Sequence, residues 1–179
     1  MKSPEVYALL KSELAPWFKS AGFKRANGPL SWYRECGSAY VVAWFQISQD
    51  GWDFHSGSKF VVEFQKSTKP IVGANPSRRK RLAKFLSAGE REEIRLIQNR
   101  VISDLPPPPQ DHPTFQISPD VAKWYIEKFR EVSAPYRENE DIWLRYHSSQ
   151  HVSSWASFIG PKLPECVSIA ESWSSEFFS

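Results

Sequence analysis

Apolar residues recur at helical spacing in the first part of the chain, and this stripe comprises Val6, Leu9, Leu10, Leu14, Trp17 and Phe18. Ser3 and Pro4 are typical of a helix start. A serine hydroxyl can accept a hydrogen bond from an unpaired backbone N–H of the first turn, and proline has no backbone N–H that would stay unpaired there. Gly22 offers a left-handed stop, and we expect Pro16 to bend or split the helix near its end. The pattern predicts an N-terminal helix.

Three later stretches, residues 30–35, 39–48 and 59–66, have the composition of β-strands. A tight Cys-Gly-Ser turn joins the first two, which predicts an antiparallel hairpin. The third alternates from Phe60 onward in the pattern of a strand with one buried face. The second is apolar on both faces, so we expect it to be central in the sheet and covered on both sides.

Helical patterns fill most of the remaining chain. A short apolar stripe predicts a helix over residues 77–86, and Ser87 with Glu90 has the spacing of a capping box that opens a second helix. A third helix is expected after Ser118, with an apolar side formed by Val121, Tyr125, Phe129 and Val132. Shorter helical stretches are predicted within residues 142–146, 152–159 and 167–177.

The order of these elements predicts an α+β fold. We expect an antiparallel β-sheet of three or more strands, packed by the N-terminal helix and a C-terminal group of helices. A length of 179 residues with 41% hydrophobic residues fits a single domain over 1–179. Four consecutive prolines begin at Pro106, so the segment 103–119 is predicted to be a Pro-rich extended surface strap.

The sequence also bears on the cellular compartment. The first residues lack the apolar core of a signal peptide, and no stretch approaches the ~20 apolar residues that cross a bilayer. Cys36 and Cys166 are far apart and outside any metal-binding or redox spacing, which favours reduced thiols. We therefore expect a cytoplasmic protein without a membrane partner.

Three segments together resemble a known family: FKSAGFKRANGPLSWYRE, VVAWFQIS and FVVEFQ. The opening of the bacterial domain-of-unknown-function family 4304 is similar, with a helix ending in Gly-Phe-Lys, an aromatic-Arg strand and an apolar strand ending in Phe-Gln-x-Ser. The resemblance covers roughly the first 70 residues. It implies a fold and a bacterial origin, and it carries over no catalytic residue. The residues that carry it are Gly22, Phe23, Lys24, Tyr33, Arg34, Phe45, Gln46 and Ser48.

Positive charge is concentrated between residues 75 and 100, where eight cations and three acids give +5 against +3 for the whole chain. The predicted helix can present these cations to phosphates or to an acidic protein surface. Alternatively, the cationic stems cover apolar surface while their heads remain in water. The central members are Arg78, Arg79, Lys80, Arg81 and Lys84.

The loop over residues 49–58 joins two strands and is longer than a hairpin requires. It carries Trp52, Phe54 and His55 beside two acids. Aromatic residues in such a loop either pack back against the sheet edge or contact a partner. These three residues are therefore a second candidate for partner binding.

His147 and His151 have a His-x-x-x-His spacing, which chelates a metal when one helix holds both side chains. Ser148 and Ser149 are natural N-caps, so we expect a helix to begin between the histidines and to remove that geometry. The chain contains no nucleophile elbow, phosphate-binding glycine loop or zinc-protease motif. The sequence therefore predicts no catalytic residue, no metal and no cofactor.

Together these features favour a non-catalytic protein that binds another macromolecule, in particular an immunity-type protein that neutralises a bacterial toxin. Nuclease inhibitors tend to be acidic, whereas this chain has a net charge of +3. One alternative is a nucleic-acid-associated protein that uses a basic helix over 78–84. Another is an enzyme whose site has no recognisable motif.

Overall fold

A computed structural model gives the fold over residues 1–53, 56–73, 76–107, 111, 113, 116, 118–132 and 135–174, with the backbone alone at 76 and 77. The chain forms a six-stranded antiparallel sheet packed by helices. The predicted α+β class, with an N-terminal helix and C-terminal helices around an antiparallel sheet, is confirmed.

The strands are β1 (Lys24–Arg25), β2 (Ser31–Cys36), β3 (Ala39–Ile47), β4 (Ser58–Ser67), β5 (Pro76–Arg81) and β6 (Leu144–Tyr146). Neighbours follow the order β1-β2-β3-β4-β5, and β6 also pairs with β4. Because β6 pairs with residues 58–60 of β4 and β5 with residues 63–67, these two strands share one edge of β4. The three predicted strands match β2, β3 and β4 to within one residue at each end.

The helices are α1 (Ser3–Ser20), α2 (Ala88–Ser103), α3 (Pro119–Arg130), α4 (Ser149–Ile159) and α5 (Leu163–Ser172). Short 3-10 turns occupy Leu82–Lys84 and Gly160–Lys162. The predicted capping box of α2 is confirmed, since Ser87 Oγ accepts from Glu90 N at 3.3 Å and Glu90 Oε2 accepts from Ser87 N at 2.8 Å. Pro16 lies inside α1, which continues to Ser20, so this proline does not split the helix.

The core lies on one face of the sheet, beneath α1, α4 and α5. Phe18 of α1 stacks on Trp32 of β2 with ring centroids 4.3 Å apart. Trp155 of α4 is fully buried and donates its indole N–H to Arg145 O at 2.6 Å. Trp155 therefore contributes apolar packing to the core, and its hydrogen bond fixes the orientation of the indole ring.

Burial of the two long strands corrects one prediction. β4 is buried at every position except Lys59, although alternation predicted one buried face. Several of its buried polar side chains have partners: Gln65 Nε2, for example, donates to Ile71 O at 2.7 Å. In β3, which we expected to be covered on both sides, Tyr40, Trp44 and Gln46 are only half-buried.

Two predicted helical segments are strands. Residues 76–81 pair with β4 in antiparallel register, with Arg81 opposite Glu63, and only then does a 3-10 turn follow. The predicted basic helix over 77–86 is therefore wrong. The segment 142–146 was also predicted to be helical, but Leu144–Tyr146 pairs with the first residues of β4. In both cases pairing between distant residues overrides local propensity.

The third predicted helix forms, but its apolar side points outward. In α3 Val121 is 48% exposed, Tyr125 44% and Phe129 48%, and beside them Trp124 is 53% exposed. The only buried residue of α3 is Ala122. The stripe that periodicity placed in the core thus lies on the surface.

Parts of two predicted segments fall outside the described residues. In the Pro-rich segment 103–119 these are 108–110, 112, 114–115 and 117, and the surface strap stays a prediction. The single domain over 1–179 also stays a prediction. The last predicted helix, 167–177, begins earlier and ends at Ser172, and residues 175–179 are not described.

Candidate binding surface

The basic cluster lies on an edge of the sheet. Within the described part of the chain, β5 pairs with β4 alone, so its other edge makes no ladder. On such an edge, alternate residues direct a backbone N–H and C=O away from the sheet. We call β5 and its flanking cations the basic edge: Arg78, Arg79, Lys80, Arg81 and Lys84.

One face of the basic edge is organised by a buried carboxylate. The side chain of Glu63 is 5% exposed and forms ion pairs with Arg79 and, at 3.6 Å, with Arg81 Nε. Trp44 Nε1 donates to the same carboxylate at 2.7 Å. Because two guanidinium groups and an indole N–H satisfy Glu63, the burial of its charge is compensated and both arginines are held in fixed positions.

On the opposite face, two cations of the basic edge lie over one indole ring. Arg78 Cζ is 5.9 Å and Lys80 Nζ 6.0 Å from the ring centroid of Trp173, which stacks on Phe85 at 5.9 Å. The two Glu63-bound arginines also cover tryptophans, Arg79 over Trp44 and Arg81 over Trp143. Cation–π contacts therefore position all four strand cations.

A groove of about 500 Å³ runs between the basic edge and the turn at residues 138–139. Four of the residues that line it are cations, and two are acids. Arg81 also pairs with Asp141, which ties the strand to the segment before β6. The groove consequently offers an anionic ligand fixed guanidinium groups beside a strand edge that no other described strand pairs with. Its lining residues are Glu63, Arg79, Lys80, Arg81, Lys84, Glu138 and Asn139.

Of the predicted loop residues, the structure describes Trp52, and it does not bring Trp52 to the basic edge. Trp52 is 44% exposed, and its ring lies 6.2 Å from that of His147, which follows β6. β6 pairs with the start of β4 and β5 with its end, so the two regions are about 20 Å apart along the strand. Phe54 and His55 lie outside the described residues.

The two histidines do not share a helix, as predicted. Ser148 is the N-cap of α4, and His151 Nδ1 accepts from the backbone N–H groups of His147 at 3.2 Å and Ser148 at 3.3 Å. His151 Nε2 is 2.9 Å from Asp104 Oδ2. His151 thus closes the start of α4 and joins it to the end of α2. The described residues contain no group of three or more metal-ligand side chains.

Burial also shifts the pKa of two titratable groups away from the basic edge, Cys166 and His147. It raises the pKa of Cys166, which is 2% exposed, to about 12. At neutral pH this thiol is protonated and is a poor nucleophile. Burial, followed by the nearby His151 ring, lowers the pKa of His147.

Sequence reasoning missed several residues of the surface, namely Glu63, Trp44, Trp143 and Trp173. Each comes close to β5 only through the pairing of residues 76–81 with 63–67 or through packing of the chain beyond residue 140. Alternation of side-chain faces along a strand is the sequence pattern that could have indicated these contacts. The prediction of a helix over 77–86 left it out of account.

Comparisons of the chain with protein-family models, with curated proteins and with solved structures find no match. The resemblance to family 4304 stays a prediction. None of the described helices combines the length and the apolar character needed to cross a bilayer.

Proposed function

We propose that the protein is a non-catalytic binding protein and that its basic edge takes up an extended acidic segment of another protein as an additional strand. The observation that carries this proposal is the position of the cations: they flank a strand edge that has no partner in the described part of the chain. The supporting physics has two parts, one from the backbone and one from charge.

The backbone part comes from strand addition. An extended peptide beside an open sheet edge forms main-chain hydrogen bonds, which supply affinity without requiring a particular sequence. Side chains of the added strand then alternate between the two faces of β5. On one face they meet Arg79 and Arg81, and on the other Arg78 and Lys80.

The positive charge on both faces of β5 determines which kind of partner it favours. An acidic strand is attracted to both faces of β5, whereas the β5 of a second copy is repelled by like charges. The cations that prevent identical sheets from joining edge to edge thus admit an acidic segment. Lys84 follows β5, is exposed and lines the groove, so a partner can extend beyond the strand.

Nucleic acid fits this surface less well than an acidic protein. Proteins that bind single strands stack bases on exposed aromatic rings, whereas the indoles of Trp44, Trp143 and Trp173 lie beneath cations of β5. Two of the four strand cations are also engaged by Glu63. An immunity-type role, in which the partner is a toxin, is the specific form of protein binding that the sequence predicts.

The test uses a fluorescein-labelled peptide in which glutamate alternates with valine, with binding followed by fluorescence anisotropy. The variant Arg78→Glu/Lys80→Glu/Lys84→Glu reverses three charges and leaves the ion pairs of Glu63 intact. We expect the wild type to bind and this variant to bind at least about tenfold more weakly. The matched control is Lys2→Glu/Arg100→Glu/Lys123→Glu, which makes the same change in net charge elsewhere and should bind like the wild type.

Two further ligands separate the alternatives. The same peptide N-methylated at alternate residues loses the hydrogen bonds of one edge and should not bind. A labelled single-stranded DNA should bind more weakly than the peptide. Tighter binding of the DNA, equal binding by the two triple variants, or no binding of the acidic peptide to the wild type would each contradict the proposal.

A further inference from the structure

A second groove lies at the other end of the sheet from the basic edge, between α1 and the strands β1 and β2. Its volume is about 870 Å³, which makes it larger than the groove beside β5. One wall is the outer side of α1 and the other is formed by Phe23, Arg25 and Trp32. Along α1 the lining residues are Ala8, Lys11, Ser12, Ala15, Pro16 and Lys19.

The shape of this groove fits a helix. Ala8, Ser12 and Ala15 are small and lie one to two turns apart on α1, so another helix can approach closely. From Ala8 to Lys19 the wall extends about 16 Å, or three helical turns. The aromatic wall, Phe23 and Trp32, is fixed because both rings also pack against Phe18.

The charge of the groove selects an acidic occupant. Among the described residues, all the charged ones that line it, Lys11, Lys19 and Arg25, are cations. Arg25 is held in place by its Nη1, which donates to Ala26 O at 2.6 Å, to Pro29 O at 2.9 Å and to Ser31 O at 2.6 Å. The two lysines are exposed and are eight residues apart, about 12 Å along the helix.

We propose that this groove binds an acidic amphipathic helix of a partner protein. Its apolar face packs mainly on the small residues of α1 and on the small exposed parts of Phe23 and Trp32, which are 6% and 3% exposed. Acids about two turns apart on its rim pair with Lys11 and Lys19. A second copy of this chain is a poor occupant, because its α1 would place lysines against lysines. The site is separate from the basic edge, since β1 and β5 lie at opposite ends of the strand order.

The experiment titrates the full chain with a fluorescein-labelled amphipathic peptide of about 18 residues, long enough to form helix, with leucine along one face and glutamate flanking it. The control peptide replaces every glutamate by lysine. We expect the acidic peptide to bind and the basic one to bind at least about tenfold more weakly, a difference carried by the rim charges. The indole N–H signal of Trp32 in an NMR spectrum should shift on addition of the acidic peptide.

Two variants locate the binding. Ser12→Trp places a large ring in the groove from an exposed helix position, and Lys11→Glu/Lys19→Glu reverses the rim. Each should weaken binding of the acidic amphipathic peptide by about tenfold or more. The circular dichroism spectrum and the binding of the glutamate–valine peptide at the basic edge should stay unchanged.

Several results would overturn the proposal. Equal binding of the two peptides would show that charge does not select the occupant, and unchanged binding by Ser12→Trp would place the peptide elsewhere. Absence of binding would be equally decisive. So would dimerisation of the wild type, measured by light scattering, that Ser12→Trp abolishes, because the occupant would then be a second copy.

Discussion

Glu63 is the residue on which the basic edge depends. Its buried carboxylate accepts hydrogen bonds from Arg79 and Trp44 and forms an ion pair with Arg81. A lone glutamate in a strand sequence is normally read as solvent-exposed, and this one is 5% exposed. The sequence could not reveal this, because its arginine partners come from a strand that local patterns predict to be a helix.

Removal of this carboxylate should be costly. We expect Glu63→Ala to lower the free energy of unfolding by about 3 kcal/mol, because it leaves Arg79 and the indole N–H of Trp44 without their shared acceptor and removes one of the two acids that pair with Arg81. Arg79→Ala is the control and should cost about 1 kcal/mol, since Arg79 is 43% exposed and Glu63 keeps its other partners. Urea denaturation measures both, and equal losses would contradict this account of Glu63.

Two glycines with similar backbone conformations should differ in their tolerance of a side chain. Gly57 has φ of +73°, and a Cβ there would lie 2.6 Å from Tyr146 O, whereas Gly73 has φ of +76° and nothing within 4 Å. Gly73→Ala should cost about 1 kcal/mol for the left-handed conformation alone. Gly57→Ala should cost at least about 3 kcal/mol, because β4 and β6 must also separate. Similar melting temperatures for the two variants would contradict the close approach.

At the scale of elements, structure that depends on neighbouring residues was predicted well from the sequence, and strand pairing between distant residues was not. The capping box at Ser87, the start of α4 at Ser148 and the strands β2 to β4 follow from neighbouring residues, and all are confirmed. The strands β5 and β6 were predicted to be helical, because each is short and is defined by its pairing with β4. Sequence therefore identified the cations of the candidate surface but not the edge that presents them.

The outward apolar face of α3 provides a direct test of the fold at this scale. Val121→Ser should change the free energy of unfolding by less than about 0.5 kcal/mol, because Val121 is 48% exposed. The neighbouring change Ala122→Asp should cost at least about 2 kcal/mol, because Ala122 is fully buried and the new carboxylate would be desolvated. If periodicity had correctly indicated the core face, the order of the two losses in chemical denaturation would be reversed.

The start of α2 is tied to the 3-10 turn before α5 by one ion pair. Lys162 Nζ lies 2.9 Å from Glu90 Oε1, and this hydrogen bond, followed by that from the Ser87 backbone, lowers the pKa of Glu90 from 4.5 to about 2. An acid with a lowered pKa stabilises the folded state above its unfolded pKa, and this contribution is lost as pH falls through the folded value.

The expected pH dependence follows. Above about pH 5, Glu90→Gln should be less stable than the wild type by about 1 kcal/mol, a reduced value because the side chain is 31% exposed and solvent screens the pair. As pH falls from 4.5 toward 2, the difference should shrink as the wild-type carboxylate is protonated. Glu93→Gln on the same helix is the control. A stability difference that does not change with pH would contradict the assigned ion pair.

At the scale of the whole molecule, the cations of the basic edge have a structural role, and we propose that they also bind a partner. The stems and heads of the four strand cations cover tryptophans and Glu63, which accounts for their number without any ligand. The same arrangement holds their charges along an edge of the six-stranded sheet that pairs with no other described strand. We propose that an acidic strand completes that sheet, whereas a second basic edge would be repelled by like charges.

Amide hydrogen exchange over β5, with and without the glutamate–valine peptide, tests this claim most directly. Strand addition would place new hydrogen bonds on the amides of residues 77–81 that point away from β4. We predict slower exchange at alternate residues of this segment in the wild type, and no change in Arg78→Glu/Lys80→Glu/Lys84→Glu. Exchange in β5 that is unaffected by a bound peptide, or protection confined to another part of the chain, would contradict the account.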